Sequence, residues 1–153
     1  MTATAIFWDY FQPIANALPG VQQVMLADGD RIDRLIAESV GTEIYPAVVS
    51  LRPKYRPVDN GADQYYAAFE VTFFVFCRSE INNDASQDAA YDQAEEMALA
   101  VLHQMRQDHR YRADVDFEYG SAKLEPVTMM TLDACQGYEV KCKLLLEASV
   151  VFS

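Results

Sequence analysis

Apolar residues recur along this chain with two distinct periods, and the switches between them mark its elements. From Thr4 to Leu18, Ile6, Phe7, Tyr10, Phe11, Ile14 and Leu18 fall three and four apart, the spacing of one helical face. Pro13 interrupts that helix or opens a second short one, because proline lacks the amide proton a helix interior needs. The Pro19-Gly20 pair stops it, and Val21 to Leu26 is a short apolar run suited to an edge strand. Asp28-Gly29-Asp30 then supplies a turn. Asp30 caps a helix over residues 31 to 40, with Ile32, Leu35, Ile36 and Val40 on one stripe and Gly41 at its C-terminal end.

The period then shortens to two. Ile44 to Leu51 is β-favourable, with Pro46 placing it at the beginning or edge of a strand. Residues 52 to 63 carry two Pro, an Asn-Gly pair and the three bases Arg52, Lys54 and Arg56, which predicts a long arm or hairpin loop. Tyr65 to Arg78 is a strong strand with Tyr65, Ala67, Phe69, Val71, Phe73, Val75 and Cys77 on one face. Its other face is polar in the middle and ends in Phe74 and Phe76, so near these two rings both faces need cover, from the chain itself or from a partner.

Asn82-Asn83-Asp84 is a turn, and Asp84 with Gln87 has the form of a capping box. Ala90, Tyr91, Ala94, Met97, Ala98, Val101, Leu102 and Met105 then trace a long amphipathic helix. Its acids crowd the first half and its bases the end, as the helix dipole favours. Asp114 to Tyr119 and Lys123 to Leu132 are β-like. From Tyr138 to Phe152 the alternation is nearly continuous, with Val140, Cys142, Leu144 and Leu146 on the apolar side. This order lacks the βαβ repeat of a parallel sheet. It predicts one α+β domain over residues 1 to 153: a helical segment over 1 to 20 and a core over 21 to 153, its mainly antiparallel sheet covered on one face by the long helix.

Composition narrows the class more than it names an activity. At 153 residues and 51% apolar content the chain buries a real core, and 23 acids against 12 bases give a formal charge of −11. That sign opposes a protein built to grip phosphate backbones. No apolar run reaches the length of a membrane helix, and the N-terminus lacks the pattern of a signal peptide, so a soluble protein made in a cytoplasm is expected. Cys77, Cys135 and Cys142 have no C-x-x-C spacing and read as reduced, buried thiols.

Candidate chemistry is sparse. His103 and His109 stand six apart, the wrong spacing for a helical metal pair, and Asp28-Gly29-Asp30 lacks the rest of a calcium loop. The carboxylate pairs Glu95-Glu96 and Asp114/Asp116 read as solvated faces, and no nucleophile motif or phosphate-binding glycine pattern occurs. No catalytic residue, metal ligand or cofactor is expected. The residues expected to meet a partner are Arg52, Lys54, Tyr55 and Arg56 in the arm, with Phe74 and Phe76 at the aromatic strand end. An acidic neighbour suits the three bases better than a nucleic acid does.

An N-terminal helical part, the strand Ile44-Tyr-Pro-Ala-Val-Val-Ser-Leu51, a long polar loop, the strand Tyr66-Ala-Ala-Phe-Glu-Val-Thr-Phe-Phe-Val-Phe76, the Ala-rich helix Asp88 to Gln107 and closing strands follow in order. From about residue 25 onward this arrangement resembles the small tail-terminator and neck proteins of tailed bacteriophages and related contractile injection systems. The resemblance implies a non-enzymatic α+β subunit of the virion, assembled in the bacterial host cytoplasm. It implies a homo-oligomeric ring, usually a hexamer, at the head-proximal end of a tail tube, with tube, sheath or neck proteins as neighbours. DNA would pass the lumen without specific binding, and no membrane is involved. Two other classes remain open: a small ligand-binding α+β domain with its pocket between the long helix and the sheet, and an adaptor that binds through residues 52 to 63.

Overall fold

The structure, a computed structural model, describes residues 1–28, 30–31, 44–130 and 134–153. The chain is an α+β domain. Among the described residues six strands form one sheet in the order β1-β2-β4-β6-β5, with β3 also paired to β4. The strands are β1 (Gln23–Ala27), β2 (Ala47–Leu51), β3 (Lys54–Asp59), β4 (Tyr65–Arg78), β5 (Val115–Met130) and β6 (Ala134–Glu147). Every pairing is antiparallel except that of β1 with β2. Helices α1 (Ala3–Asn16) and α2 (Asp84–Tyr111) pack against the sheet, and a single turn, α3 (Ser149–Phe152), follows β6.

Helix α1 begins where Thr2 accepts the Ala5 amide proton at 3.1 Å, satisfying one of the free donors of the first turn. It runs through Pro13 unbroken, which corrects the expected interruption. Ala3, Phe7, Phe11 and Ala15, each four apart, are buried; the Phe7 ring packs tilted against Phe69 at 5.5 Å and the Phe11 ring against Phe73 at 5.2 Å. Each of these rings contributes roughly 1.5–3 kcal/mol by leaving water, so the N-terminal helix belongs to the core.

Helix α2 is capped by Asn83, whose side-chain oxygen accepts the Ser86 amide proton at 3.0 Å, one residue before the expected Asp84 box. Its buried stripe, Ala90, Ala94, Met97, Ala98, Val101, Leu102 and Met105, shares one apolar cluster with Val140, Leu144 and Leu146 of β6. The long-helix stripe and the β6 face thus meet as their periodicities predict.

Three further expectations are corrected. Residues 54 to 59 form a strand within the predicted arm, in register from Lys54 opposite Glu70 to Asp59 opposite Tyr65. Pro57 is tolerated because β3 lies at the sheet edge, where a missing donor costs no ladder bond. β2 and β3 therefore occupy one edge of β4 in sequence, and the hairpin tip shrinks to residues 60 to 64, where Gly61 takes φ +79°. The final strand ends at Glu147: the Ala148 amide donates to the Tyr65 carbonyl at 2.8 Å and the chain coils into α3. The two β-like runs after α2 are one strand, β5, with a register shift between Glu118 and Lys123. The helix expected over residues 31 to 40 lies, apart from Arg31, outside the described residues; Asp28 accepts the Arg31 amide proton at 2.9 Å.

Candidate functional site

The two sides of the sheet differ in kind. One carries the helices. On the other, Phe76 is 2% exposed and stacks on half-buried Phe74 at 5.6 Å, inside a second apolar cluster with Ala27, Ile44, Tyr45 and Val49. The chain itself thus covers Phe76, which therefore offers no surface to a partner. Beyond these rings the same side is charged.

Strand alternation and register assemble that charged surface row by row. Lys54 stands opposite Glu70, Glu70 opposite Lys143, and Lys143 opposite Glu118, so the signs alternate across four strands. The register sets these charges beside one another, but among the described residues none of the neighbours in this row closes an ion pair. In the next row Lys141 faces Lys123, and in the following one Glu139 faces Glu125. The like-charge contacts are relieved along the strands by Lys123 to Glu125 at 2.7 Å and Lys141 to Glu139 at 3.5 Å. The Glu125 partner raises the Lys123 pKa, and Lys123 in turn lowers that of Glu125.

All four lysines of the chain, Lys54, Lys123, Lys141 and Lys143, lie on this surface, with Arg52 and Arg56 at its edge. Half of the 12 cations of an acidic chain are therefore gathered on one side. Among the described residues, Arg52, Lys54, Arg56 and Lys143 have no carboxylate within ion-pair distance. Two shallow hollows lie among them. One, of about 280 Å³, is walled by Lys54, Arg56, Glu70, Glu118 and Lys143. The other, of about 380 Å³, is walled by Arg52, Lys54, Thr72, Ser121, Lys141 and Lys143. The Ser121 hydroxyl is engaged structurally: it donates to the Glu118 carbonyl at 2.6 Å and accepts the Lys143 amide at 2.9 Å, closing the bulge. This surface can recognise charge.

Of the residues expected to meet a partner, the structure brings Arg52, Lys54 and Arg56 together with three further lysines that sequence reading did not connect to them. Tyr55 points to the helix side, 5.8 Å from Phe69 and 6.4 Å from Phe152, and is 46% exposed. The connection was hidden because alternation shows that Lys141 and Lys143 share a side, but only the β3-β4-β6 register sets Lys54 beside them.

Sequence reading also missed a cleft of about 650 Å³ between α1 and α2. Its floor includes Ile6, Ile14, Leu18 and Leu146. At its rim the Tyr10 hydroxyl donates to Asp108 at 2.7 Å, and Gln104 donates to the other oxygen of Asp108 at 2.9 Å. Arg112 grips Asp114 through two bonds of 2.9 and 2.7 Å. Burial, and then the hydrogen bond to Asp108, push the Tyr10 pKa well up, while the Arg112 hydrogen bonds hold Asp114 below its ordinary value. The phenol keeps its proton and Asp108 is already occupied, so this cluster fastens α1 to α2. Gln104 and Asp108 were readable as an i, i+4 pair, but Tyr10 lies 98 residues away from Asp108.

The histidines sit exposed on α2; His109 Nδ1 accepts the Phe117 amide proton at 3.2 Å and lies 3.2 Å from Asp116. Cys77, Cys135 and Cys142 are buried thiols. Among the described residues no group of three or more His, Cys, Asp or Glu is placed to hold a metal ion, and no helix is long and apolar enough to cross a membrane. No protein-family model matches the chain, and no curated protein sequence matches it.

Proposed function

We propose that this chain is a non-enzymatic structural subunit of a phage or phage-like tail, closing with copies of itself into a ring that terminates or connects the tail tube at the neck. The observation that carries this reading is the bare, charged side of the sheet. Half of the chain's cations stand there, four of them without an ion-pair partner among the described residues, on a molecule whose formal charge is −11. A surface of that kind suits contact with an acidic protein neighbour. The element order of the tail-terminator proteins supports the same reading, and six copies is the number that resemblance brings. Tube, sheath or neck proteins are the axial neighbours. A ring of six would carry six times the charge of one chain, which disfavours retention of DNA passing through it.

The test is to locate the chain on the assembled particle. Gold-labelled antibody and averaged electron micrographs should place it at the head-proximal end of the tail, in a ring. Label on the capsid, on the baseplate, or only in the unassembled host lysate overturns the proposal. The α1–α2 cleft favours a second reading, a ligand-binding domain, because its volume is that of a small-molecule site. A particle-free role with a saturable small-molecule ligand in the cleft would establish it instead.

A further inference from the structure

The outer ridge of α2 is the electrostatic counterpart of the bare sheet side. Asp84, Asp88, Asp92 and Glu96 are exposed and spaced four apart, so they form one line on the helix. At a rise of 1.5 Å per residue the line spans about 18 Å. No Lys or Arg occurs in α2 before Arg106. Only Asp84 sits in the first turn, where the helix dipole offsets a negative charge; each later carboxylate repels its neighbour one turn away. Leu99, 44% exposed, follows on the next turn.

We infer that the sheet side bearing Arg52, Lys54, Arg56 and Lys143 docks the Asp84–Glu96 ridge of a second copy of this chain. This rests on the ring reading above and names its contact. The ridge needs cations that its own helix does not supply, and the sheet side holds cations that no described carboxylate pairs. Glu70, Glu118, Glu125 and Glu139 stand among those cations and would repel a continuous phosphate backbone, whereas a protein surface can place its charges between them. The two surfaces belong to opposite layers, the helices and the bare side of the sheet. Each copy therefore keeps one of each free, and the contact is head-to-tail, the class that closes rings or extends filaments.

Charge exchange tests it on the full chain, with sedimentation reading self-association across salt concentrations. The wild-type chain should associate at low salt and dissociate as salt rises. Lys54→Glu with Lys143→Glu should weaken association at least about tenfold, as should Asp92→Lys with Glu96→Lys. All four substitutions on one chain should restore it. Should the lysine reversals lower the melting temperature, Lys54→Gln with Lys143→Gln keeps the test open by removing charge without adding repulsion, and should weaken association in the same direction. A wild-type chain that stays monomeric at every salt concentration, single reversals without effect, or a quadruple variant that fails to recover overturns the contact. So does duplex DNA binding that disappears with the lysine reversals while self-association is unchanged, which would assign the sheet side to nucleic acid. These outcomes leave the ring reading standing, since that is tested on the particle itself, by the position of the chain and by deletion of its gene.

Discussion

Gly137 is the position where one added methyl group should do the most damage. It lies in β6 opposite Phe76 of β4, inside the longest pairing in the sheet and two partner pairs from its Arg78–Cys135 end. A Cβ built there would overlap the Val75 carbonyl oxygen and stand 2.8 Å from Phe76 Cδ1 and 3.1 Å from the Val75 carbonyl carbon. The oxygen is backbone, and Val75 is held from the other side by Val48 of β2, so it cannot swing away. The Phe76 ring is fixed in turn by its stack on Phe74. Relief requires β4 and β6 to part, and overpacking of this kind costs about 1–3 kcal/mol, with a backbone clash at or above the upper end. At about 2–4 °C per kcal/mol for a domain of this size, Gly137→Ala should lower the melting temperature by roughly 6–12 °C. Gly120→Ala is the control: nothing lies within 4 Å of its Cβ position, so its melting temperature should stay close to wild type. Thermal unfolding followed by circular dichroism measures both. If Gly137→Ala melts with the wild-type chain, the register of β4 on β6 is wrong.

Leu102, 2% exposed beneath α2, should cost about 2–5 kcal/mol when cut to Ala; an unchanged urea midpoint would mean that the helix face is misassigned. Burial pushes the Cys77 and Cys142 thiols up from 9.0 to about 12, so both hold their protons more tightly folded than unfolded. Their contribution is complete below pH 9 and is lost as pH rises toward 12, by up to about 1.4 kcal/mol per pH unit for each thiol. A urea midpoint that does not fall across this alkaline range contradicts that burial. The triple reversal of Arg52, Lys54 and Arg56 to Glu should leave the melting temperature within a few degrees of wild type, because all three side chains are exposed, and should abolish particle assembly. Normal infectivity of that variant would remove this edge from the contact.

Local periodicity was enough wherever one element met one face. The stripe of α2 and the alternation of β4 and β6 could be read directly, since each buried residue recurs at the period of its own element. It failed where distant segments decide. Residues 54 to 59 look like loop because Pro57 and the three bases suppress a strand signal, yet the edge of β4 provides a place where proline is harmless. At the C-terminus, alternation through Ala148, Val150 and Phe152 continues past the strand; the hydrogen bond that the Ala148 amide donates to the Tyr65 carbonyl fixes where the pairing stops. The candidate surface was half legible. The three bases of the 52 to 63 segment stood out, while their union with Lys123, Lys141 and Lys143 depends on a register that no single segment encodes.

A structural role at the head-proximal end of a tail can be tested by deleting the gene from the element that carries it and examining the particles by electron microscopy. Deletion should leave tails of uncontrolled length, or tails and heads that fail to join, with either defect restored by the gene supplied in trans. Particles of normal length, joined and infectious without the gene would contradict it.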